Sequence, residues 1–451
     1  MNPQETGRLM NVDLIIESKW IAPIIPEQSL LTDYAVVIKD KKIVAVCPQK
    51  DLASQYVASK NIQLSEHILM PGLINAHGHA PMTLLRGMAD DMPLDDWLNT
   101  RIWPLEEKFV NHEFVESGAE LAIAEMILSG TTSFADMYFY PDQVAKAAIR
   151  SNMRVQLASP ILDFPTVWAK SSEEYIAKAT RLHDQYRNSE LVSTAFGPHA
   201  PYTISDAPLT KIGMLAEELD VPIHMHIHET AQEVSDSIEQ FGCRPLTRLH
   251  KIGFVNPRLN CVHATQLTQD EIAMLSESGS SVVHCPASNM KLASGICDVS
   301  KLIFCNTNVC LGTDGAASNN ELDLLKEARL ASLLAKIQSG TASSLPAYKT
   351  LEMMTINGAK ALGLDKFIGS LEPGKLADIT AISLNAPNTL PINNPLSHVV
   401  YSVNSSQVSH VWVGGRNILH ERQLQTVDLN KIQTISSRWQ KRIQRGITSQ
   451  T

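Results

Sequence analysis

The sequence lacks the patterns that indicate a disulfide framework, cysteine-bound zinc or a membrane span. Its seven cysteines are an odd number and include no C-x-x-C pair, which argues against a disulfide framework and against a zinc knuckle. No segment approaches the roughly 18 uninterrupted apolar residues that suggest a membrane-spanning helix. The N-terminus contains no apolar core behind a basic start. These absences predict a cytoplasmic protein.

Positive charge is also in deficit. The chain has 38 Lys and Arg residues against 47 Asp and Glu residues, a formal net charge of −9. It therefore repels polyanions, and neither a nucleic acid nor an anionic membrane is expected as its main partner. With 451 residues, 44% of them hydrophobic, the chain exceeds the size at which one hydrophobic core stops growing. We expect one large and one smaller domain and a small-molecule partner, and the sequence is compatible with a homo-oligomer.

Eight short apolar or β-rich runs, each followed by a segment of helical period, fill the middle of the chain. A strand and a helix repeated eight times over roughly 300 residues are typical of a (β/α)8 barrel, whereas a doubly wound sheet would require a G-x-G-x-x-G motif after its first strand. Short β-rich runs recur at both ends of the chain. We therefore predict an α/β fold, with a (β/α)8 TIM-type barrel over residues 69–365 and a β-sandwich domain formed by residues 1–68 and 366–451. The eight central runs are residues 67–72, 131–137, 155–159, 192–196, 222–227, 260–263, 281–284 and 309–313.

Histidine stands at the end of five of these runs. Active sites of (β/α)8 barrels lie at the C-terminal ends of the strands, so the placement is informative, although an isolated histidine is more often an ordinary core or surface residue. Five such strand ends are hard to obtain by chance from 15 histidines in 451 residues. The residues concerned are His77 and His79, His199, His226 and His228, His263, and His284, and the eighth run ends in Gly312-Thr313-Asp314.

His77 and His79 are candidates for one metal site. Two positions apart on an extended strand, both imidazoles point to the same side and can reach one cation at about 2.0–2.1 Å. A turn at Gly78 is the alternative interpretation. His226 and Asp314 would complete a four-residue set of nitrogen and oxygen donors that leaves a coordination position for water.

The neighbours of these candidates leave alternatives open. His224, His226 and His228 share one face of a strand and only one need be a ligand; we prefer His226 because Glu229 follows at the loop edge, and interpret the deeper His224 as structural. Asp314 could belong to an ordinary strand-to-helix turn, but beside the histidines it becomes a ligand that can also take a proton from the nucleophilic water. Glu229 is either an exposed acid at a helix start or an acid/base group beside the metal.

Several short motifs are spread over nearly the whole chain. They are Asn75-Ala76-His77-Gly78-His79 with its continuation to Asp91, Gly197-Pro198-His199-Ala200-Pro201-Tyr202, His226 to Glu229, His263, His284-Cys285-Pro286-Ala287-Ser288-Asn289, Gly312-Thr313-Asp314-Gly315-Ala316 and the segment from Ile368 to Asp378. In these motifs the sequence resembles the amidohydrolase superfamily. It is most similar to the branch of 5′-methylthioadenosine/S-adenosylhomocysteine deaminases, which neighbours the triazine hydrolases and guanine deaminases.

The resemblance implies a metal centre. Because the fourth run ends in His199 rather than in a lysine, the carbamylated lysine that bridges two metals in binuclear relatives has no donor here, and a single divalent metal is expected. That metal would be zinc. The implied ligands are His77, His79, His226 and Asp314.

The resemblance also implies roles in catalysis and in substrate binding. Glu229 would pass a proton to a ring nitrogen of the base, and His263 would lie beside the nucleophilic water and orient it, while Asp314 accepts the proton of the water. Glu106 matches the acid that binds the ribose hydroxyls, and His199 matches a substrate-binding histidine. Glu229 and Asp314 would contact the substrate as well.

The implied activity is hydrolytic deamination of the adenine ring of 5′-methylthioadenosine, with S-adenosylhomocysteine and adenosine as further substrates, giving the inosine analogue and ammonia. A hydrolase of a free ring, such as guanine or a triazine, is the alternative, and on such a substrate Glu106 would have no ribose to bind. A non-enzymatic scaffold would not need the complete set of ligands and acid/base groups. The methylthio substrate is favoured because no motif selects an arginine for the homocysteine tail from Arg150, Arg154, Arg181 and Arg187.

Overall fold

A computed structural model of the chain describes residues 9–448. Within this range the strands form two sheets of eight. In chain order they are β1 (Met10–Ile21), β2 (Leu31–Lys39), β3 (Lys42–Pro48), β4 (Tyr56–Pro71), β5 (Leu73–Asn75), β6 (Thr131–Asp136), β7 (Arg154–Ile161), β8 (Val192–Pro198), β9 (Ile223–Ile227), β10 (Leu259–His263), β11 (Ser281–His284), β12 (Asn308–Leu311), β13 (Ile379–Ser383), β14 (Val408–Val413), β15 (Arg416–His420) and β16 (Gln423–Leu424).

Helices connect the strands. The α-helices are α1 (Leu52–Gln55), α2 (Leu94–Trp97), α3 (Trp103–Phe109), α4 (His112–Leu128), α5 (Pro141–Ser151), α6 (Ser172–Tyr186), α7 (Asp206–Leu219), α8 (Ala231–Phe241), α9 (Pro245–Lys251), α10 (Gln269–Ser278), α11 (Pro286–Lys291), α12 (Val299–Phe304), α13 (Leu324–Ser339), α14 (Ala347–Met353), α15 (Ile356–Ala361), α16 (Pro395–Tyr401) and α17 (Leu429–Thr448). Shorter 3-10 turns cover Gln49–Asp51, Ala80–Leu85 and Ser405–Gln407, and a π-type turn covers Leu98–Ile102. Across the part of the chain that the structure describes, no helix combines the length and the hydrophobicity needed to cross a bilayer.

Strands β5 to β12 form the barrel. They are parallel and follow one another in chain order around the sheet. The two ends of the sheet meet, because the Ala76 N–H donates to the Leu311 carbonyl at 2.9 Å and the Asp314 N–H donates to the His77 carbonyl at 3.1 Å. Helices lie between successive strands and cover the outer face of the barrel, while the inner face is enclosed by the barrel itself, so nearly all strand residues are buried. The predicted (β/α)8 barrel is confirmed.

Both ends of the chain build the second sheet, as predicted. Its strand order is β16-β15-β14-β13-β4-β1-β2-β3, with β1 parallel to β4 and the other neighbours antiparallel. Its own core includes Ile16, Val36, Leu69, Ile379 and Trp412. The domain boundaries at residues 68/69 and 365/366 stay a prediction, and residues 1–8 and 449–451 lie outside the described range.

The first barrel strand is not where the sequence placed it. The run 67–72 was expected to open the barrel, but residues 67–71 belong to β4 and pair with β13 in the terminal sheet, and the barrel opens with β5. Gly72 separates the two sheets at a point of close approach, since a Cβ there would lie 2.1 Å from Thr132 Oγ1. A continuous apolar run does not show which of two sheets each residue joins. The prediction therefore assigned this run to the wrong sheet.

Two further contacts attach the terminal segment to the barrel. The Arg154 guanidinium at the start of β7 forms a buried ion pair with Asp378, at 2.6 Å between Nε and Oδ2. Helix α17 packs on α4, where the rings of Trp439 and Phe114 meet edge to face at 5.2 Å between centroids. Arg154 is therefore engaged at the N-terminal end of its strand, opposite to the end where barrel active sites lie.

Candidate active site

The histidines and the aspartate singled out in the sequence converge at the C-terminal ends of the barrel strands. His77 and His79 follow β5, His226 belongs to β9, His263 ends β10 and Asp314 follows β12. All but His79 are less than a tenth exposed, and the His77 and His263 side chains are almost completely buried. Barrel connectivity thus brings together residues that are up to 237 positions apart in the chain.

The spacing between the donor atoms fits one cation. His77 Nε2 lies 3.3 Å and His79 Nε2 lies 3.2 Å from Asp314 Oδ1, and His226 Nε2 lies 3.2 Å from His77 Nε2. Donors bound tetrahedrally at about 2.0–2.1 Å are about 3.3–3.4 Å apart. The three measured pairs therefore have the separation of donors that share one divalent ion. His263 lies close enough to His77 and Asp314 for their donor atoms to fall within 4.8 Å of one another.

Hydrogen bonds at the other ring nitrogen orient two of these histidines. Nδ1 of His79 lies 2.6 Å from the Met137 carbonyl, and Nδ1 of His226 lies 2.8 Å from the His199 carbonyl. A carbonyl only accepts hydrogen bonds, so each Nδ1 carries a proton, and in the neutral ring it is Nε2 that offers a lone pair. This is the tautomer that metal binding through Nε2 requires.

Asp314 is held at both oxygens. The hydroxyls of Ser288 and Ser318 donate to Oδ2 at 2.6 and 3.0 Å, and the Gly315 N–H donates to Oδ1 at 2.8 Å. Burial alone would raise the pKa of Asp314, but its contacts with the two histidines of the first motif hold that pKa well below the ordinary value. The residue is a carboxylate, as a metal ligand must be. Its backbone has a positive φ of 60°, an uncommon conformation that is often found at functional sites.

Glu229 and His263 form a pair beside the donor set. Oε2 of Glu229 lies 3.6 Å from Nε2 of His263, whose Nδ1 is 2.8 Å from Asn289 Oδ1. Burial raises the pKa of Glu229, which favours the protonated form that a general acid needs. The two Glu233 oxygens accept the backbone N–H groups of His228 and Glu229 at 2.9 and 2.7 Å. Glu229 is therefore a buried acid on an anchored backbone and not an exposed residue at a helix start.

A cavity of about 560 Å³ opens above this cluster, within the size range of small-molecule sites. Its floor includes His79, His226 and Asp314, and its walls are mostly apolar and aromatic. Glu106 and His199 both line it. Burial raises the pKa of Glu106 to about 7, against smaller lowering effects from its neighbours. Burial lowers the pKa of His199 to about 3, so this imidazole is neutral.

The arginines considered as partners for a homocysteine tail lie outside the cavity. Arg154 pairs with Asp378, and Arg150 pairs with Glu116 and Glu120 on the outer surface. None of the four candidates lines the cavity, and within residues 9–448 no lysine or arginine does so. The lining carboxylates, by contrast, are Glu106, Glu107, Glu229 and Asp314.

Sequence reasoning missed several supporting residues. Ser288 and Asn289 lie in the quoted motif that begins at His284, which was the available signal, but their contacts with Asp314 and His263 depend on loops from other strands. Glu233 follows Glu229 by four residues and lies in the first turn of α8. His224, interpreted only as structural, contacts His77 directly. These contacts become visible only when the strand ends are assembled.

Comparison with known proteins identifies the family and agrees with the fold. A family model described as the amidohydrolase family matches residues 68–418. The chain is 50% identical, over 96% of its length and 97% of the relative, to a 5-methylthioadenosine/S-adenosylhomocysteine deaminase of Saccharophagus degradans. A solved adenosine deaminase from Xanthomonas campestris with bound zinc is 46% identical, with a TM-score of 0.96 over 97% of this chain and 100% of that one. An atrazine chlorohydrolase from Arthrobacter aurescens complexed with zinc, 23% identical with a TM-score of 0.88 over 94% of this chain and 99% of its own, shows the shared fold alone.

Proposed function

The chain belongs to the amidohydrolase family, and from that membership we propose that it is a metal-dependent deaminase of 5′-methylthioadenosine. Water replaces the amino group at C6 of the adenine ring, which yields the inosine analogue and ammonia. S-adenosylhomocysteine and adenosine are further candidate substrates. The observation that carries the proposal is the floor of the cavity, where the donor atoms of His77, His79, His226 and Asp314 lie at separations that suit one divalent ion and adjoin the buried Glu229–His263 pair.

The metal in this proposal is one Zn²⁺ per chain, held by His77, His79, His226 and Asp314. The donor separations of 3.2–3.3 Å support this assignment. The bound ion would lower the pKa of a water molecule from 15.7 toward about 7, so that hydroxide is available at neutral pH.

The protein's own groups then move the protons. Asp314 accepts a proton from the attacking water, and His263, held through Nδ1 by Asn289, orients that water. Glu229 delivers a proton to the neighbouring ring nitrogen as C6 becomes tetrahedral, because its raised pKa keeps a transferable proton. The proton taken up by Asp314 passes to the amino group, the C6–N bond breaks and ammonia leaves, and the C6 hydroxyl returns a proton to Glu229 as the C6=O bond forms.

The rest of the cavity favours a nucleoside with an uncharged 5′ group. We assign Glu106 to the ribose hydroxyls and His199 to the substrate as well. Leu98, Trp103 and Phe164 supply apolar wall surface on which a methylthio group can be buried. The carboxylate of a homocysteine tail would find no cationic partner among the described lining residues, so we expect methylthioadenosine to be preferred over S-adenosylhomocysteine.

The other interpretations make different demands. A hydrolase of a free ring has no use for a ribose-binding acid, and a scaffold has no use for a complete donor set beside an acid/base pair. The cytoplasmic location and a homo-oligomeric state stay predictions from the sequence; seven unpaired cysteines accord with a reducing compartment.

Metal analysis of the purified protein, followed by chelation and reconstitution, tests the proposal. We expect about one equivalent of Zn²⁺ per chain, loss of methylthioadenosine deamination on chelation, and recovery when Zn²⁺ is added. A folded protein that takes up no divalent metal and deaminates nothing would support the scaffold interpretation. Turnover of guanine or a triazine in preference to every adenine nucleoside would support the free-ring interpretation.

A further inference from the structure

The three histidines assigned to the metal differ in what their second ring nitrogen contacts. Nδ1 of His79 and Nδ1 of His226 each face a backbone carbonyl, at 2.6 and 2.8 Å. Nδ1 of His77 instead lies 2.8 Å from Nε2 of His224. A carbonyl can only accept, and no side-chain substitution removes it. An imidazole nitrogen can accept or donate. Which ring nitrogen of His77 carries its proton therefore depends on a side chain that can be replaced.

The position of this proton decides whether His77 can be a ligand. Nε2 of His77 faces Asp314 Oδ1 at 3.3 Å and His226 Nε2 at 3.2 Å. With the proton on Nδ1, Nε2 offers a lone pair to a cation between these donors. With the proton on Nε2, His77 would donate to the Asp314 carboxylate and could not bind a metal. The ligand tautomer therefore needs an acceptor at Nδ1.

His224 is placed to be that acceptor. It precedes His226 by two residues on β9, so its side chain lies on the same face one level deeper in the barrel. His77 and His224 have no exposed surface, and their rings are nearly parallel, at 21° with centroids 4.9 Å apart. Nδ1 of His224 makes no hydrogen bond with any residue in the range 9–448. No protein group in that range therefore donates to Nδ1 of His224 and forces the proton of this ring onto Nε2.

We propose that His224 is a positioning residue for the metal centre. Its Nε2 accepts the proton of His77 Nδ1 and so holds His77 in the tautomer and the ring orientation that bind a divalent cation. Partners of this kind typically change metal affinity or activity about 10- to 100-fold when they are removed. The inference rests on the proposed metal site but not on the identity of the substrate.

A matched pair of substitutions tests the acceptor. His224→Leu removes the acceptor and keeps an apolar side chain of moderate size in the barrel, whereas His224→Gln keeps an amide oxygen at a similar reach. The dissociation constant for Zn²⁺ would be measured on the full-length protein by competition with a chromophoric chelator. The visible absorption of the Co²⁺-substituted protein reports the ligand geometry, and urea unfolding of the metal-free protein reports the fold.

We expect His224→Leu to weaken Zn²⁺ binding about 10- to 100-fold and to alter the Co²⁺ spectrum, while His224→Gln restores most of both. Should the leucine variant not fold, His224→Asn, whose shorter amide does not reach His77, takes its place with the same expectation. Wild-type affinity in the leucine or asparagine variant would overturn the inference and leave the metal site intact. Equal loss in the glutamine variant, with unfolding of the metal-free protein unchanged, would also overturn it. A wild-type protein that binds no divalent cation would overturn the metal site itself.

Discussion

Replacement of Glu106 by glutamine should change how the stability of the protein depends on pH. The Glu106 side chain is nearly buried in the cavity wall, and burial raises its pKa from 4.5 to about 7. The folded protein therefore binds this proton more tightly than the unfolded chain does. The stability that the neutral group contributes is fully present below pH 4.5, declines as the pH rises, and is lost once the folded-state pKa of about 7 is passed.

The size of the effect follows from the two pKa values. Each tenfold difference in proton affinity is worth about 1.4 kcal/mol, so a pKa of about 7 in place of 4.5 corresponds to roughly 3–4 kcal/mol of unfolding free energy over the whole titration. Glutamine has the same shape but does not titrate. At pH 5 the unfolded chain has already lost most of this proton, so between pH 5 and pH 8.5 the variant should gain about 2–3 kcal/mol of stability relative to the wild type.

Urea unfolding of both proteins at the two pH values measures this difference directly. The metal-free form is the right sample, because a nearby divalent cation would itself favour the carboxylate. Comparison of the two differences cancels every other titrating group that the proteins share. If the stability difference between variant and wild type is the same at both pH values, Glu106 ionises as it would in water and the reasoning from burial is refuted.

The same variant separates the nucleoside from the free-ring interpretation. Hydrogen bonds to a charged group contribute about 1.5–3 kcal/mol, so loss of the ribose contact should lower kcat/KM for methylthioadenosine about 10- to 100-fold. Turnover of a free base, which has no ribose, should be the same in the variant and the wild type. Unaltered kcat/KM for the best substrate would show that Glu106 does not bind ribose.

Four further substitutions test other parts of the account. Glu229→Gln should lower the deamination rate about 10²–10⁴-fold with normal metal content by elemental analysis, and retention of near-full activity would remove Glu229 from its role. His226→Ala, by contrast, should lose metal and activity together. Glu233→Gln leaves one oxygen for two backbone N–H donors and should lower kcat more than it changes KM; equal effects on both would argue against positioning. Arg154→Leu leaves Asp378 buried without its partner and should lower the urea-unfolding free energy by about 3–5 kcal/mol, whereas a change below 1 kcal/mol would show that the pair is dispensable.

Much of the fold could be predicted because the barrel repeats one local pattern. Strands buried on both faces are apolar throughout, and seven of the eight predicted runs overlap the barrel strands from β6 to β12. The first run was assigned to the wrong sheet, because β4 continues as an apolar segment up to Gly72 and only then does the chain enter the barrel. Gly72 marks the change of sheet, and its close contact is with Thr132, which lies 60 residues further along the chain.

The candidate site was predictable where barrel geometry brings strand ends together, and not where one loop contacts another. His77, His79, His226 and Asp314 converge as expected, although their roles as ligands stay predictions. The acceptor role of His224 depends on a tautomer, which no sequence pattern reports. Whether an arginine binds a homocysteine tail could likewise be judged only from the residues that line the cavity. Arg154, one of the candidates, pairs instead with Asp378 of the terminal domain.

Incubation of the zinc-replete protein with 5′-methylthioadenosine tests the central claim most directly. The reaction would be followed by the loss of adenine absorbance, by ammonia release and by the mass of the product. We predict one ammonia for each nucleoside consumed, and a product in which oxygen replaces the amino group at C6 and the methylthioribose is intact. Absence of ammonia and of any product from methylthioadenosine, S-adenosylhomocysteine and adenosine, in protein shown to contain its metal, would contradict the account.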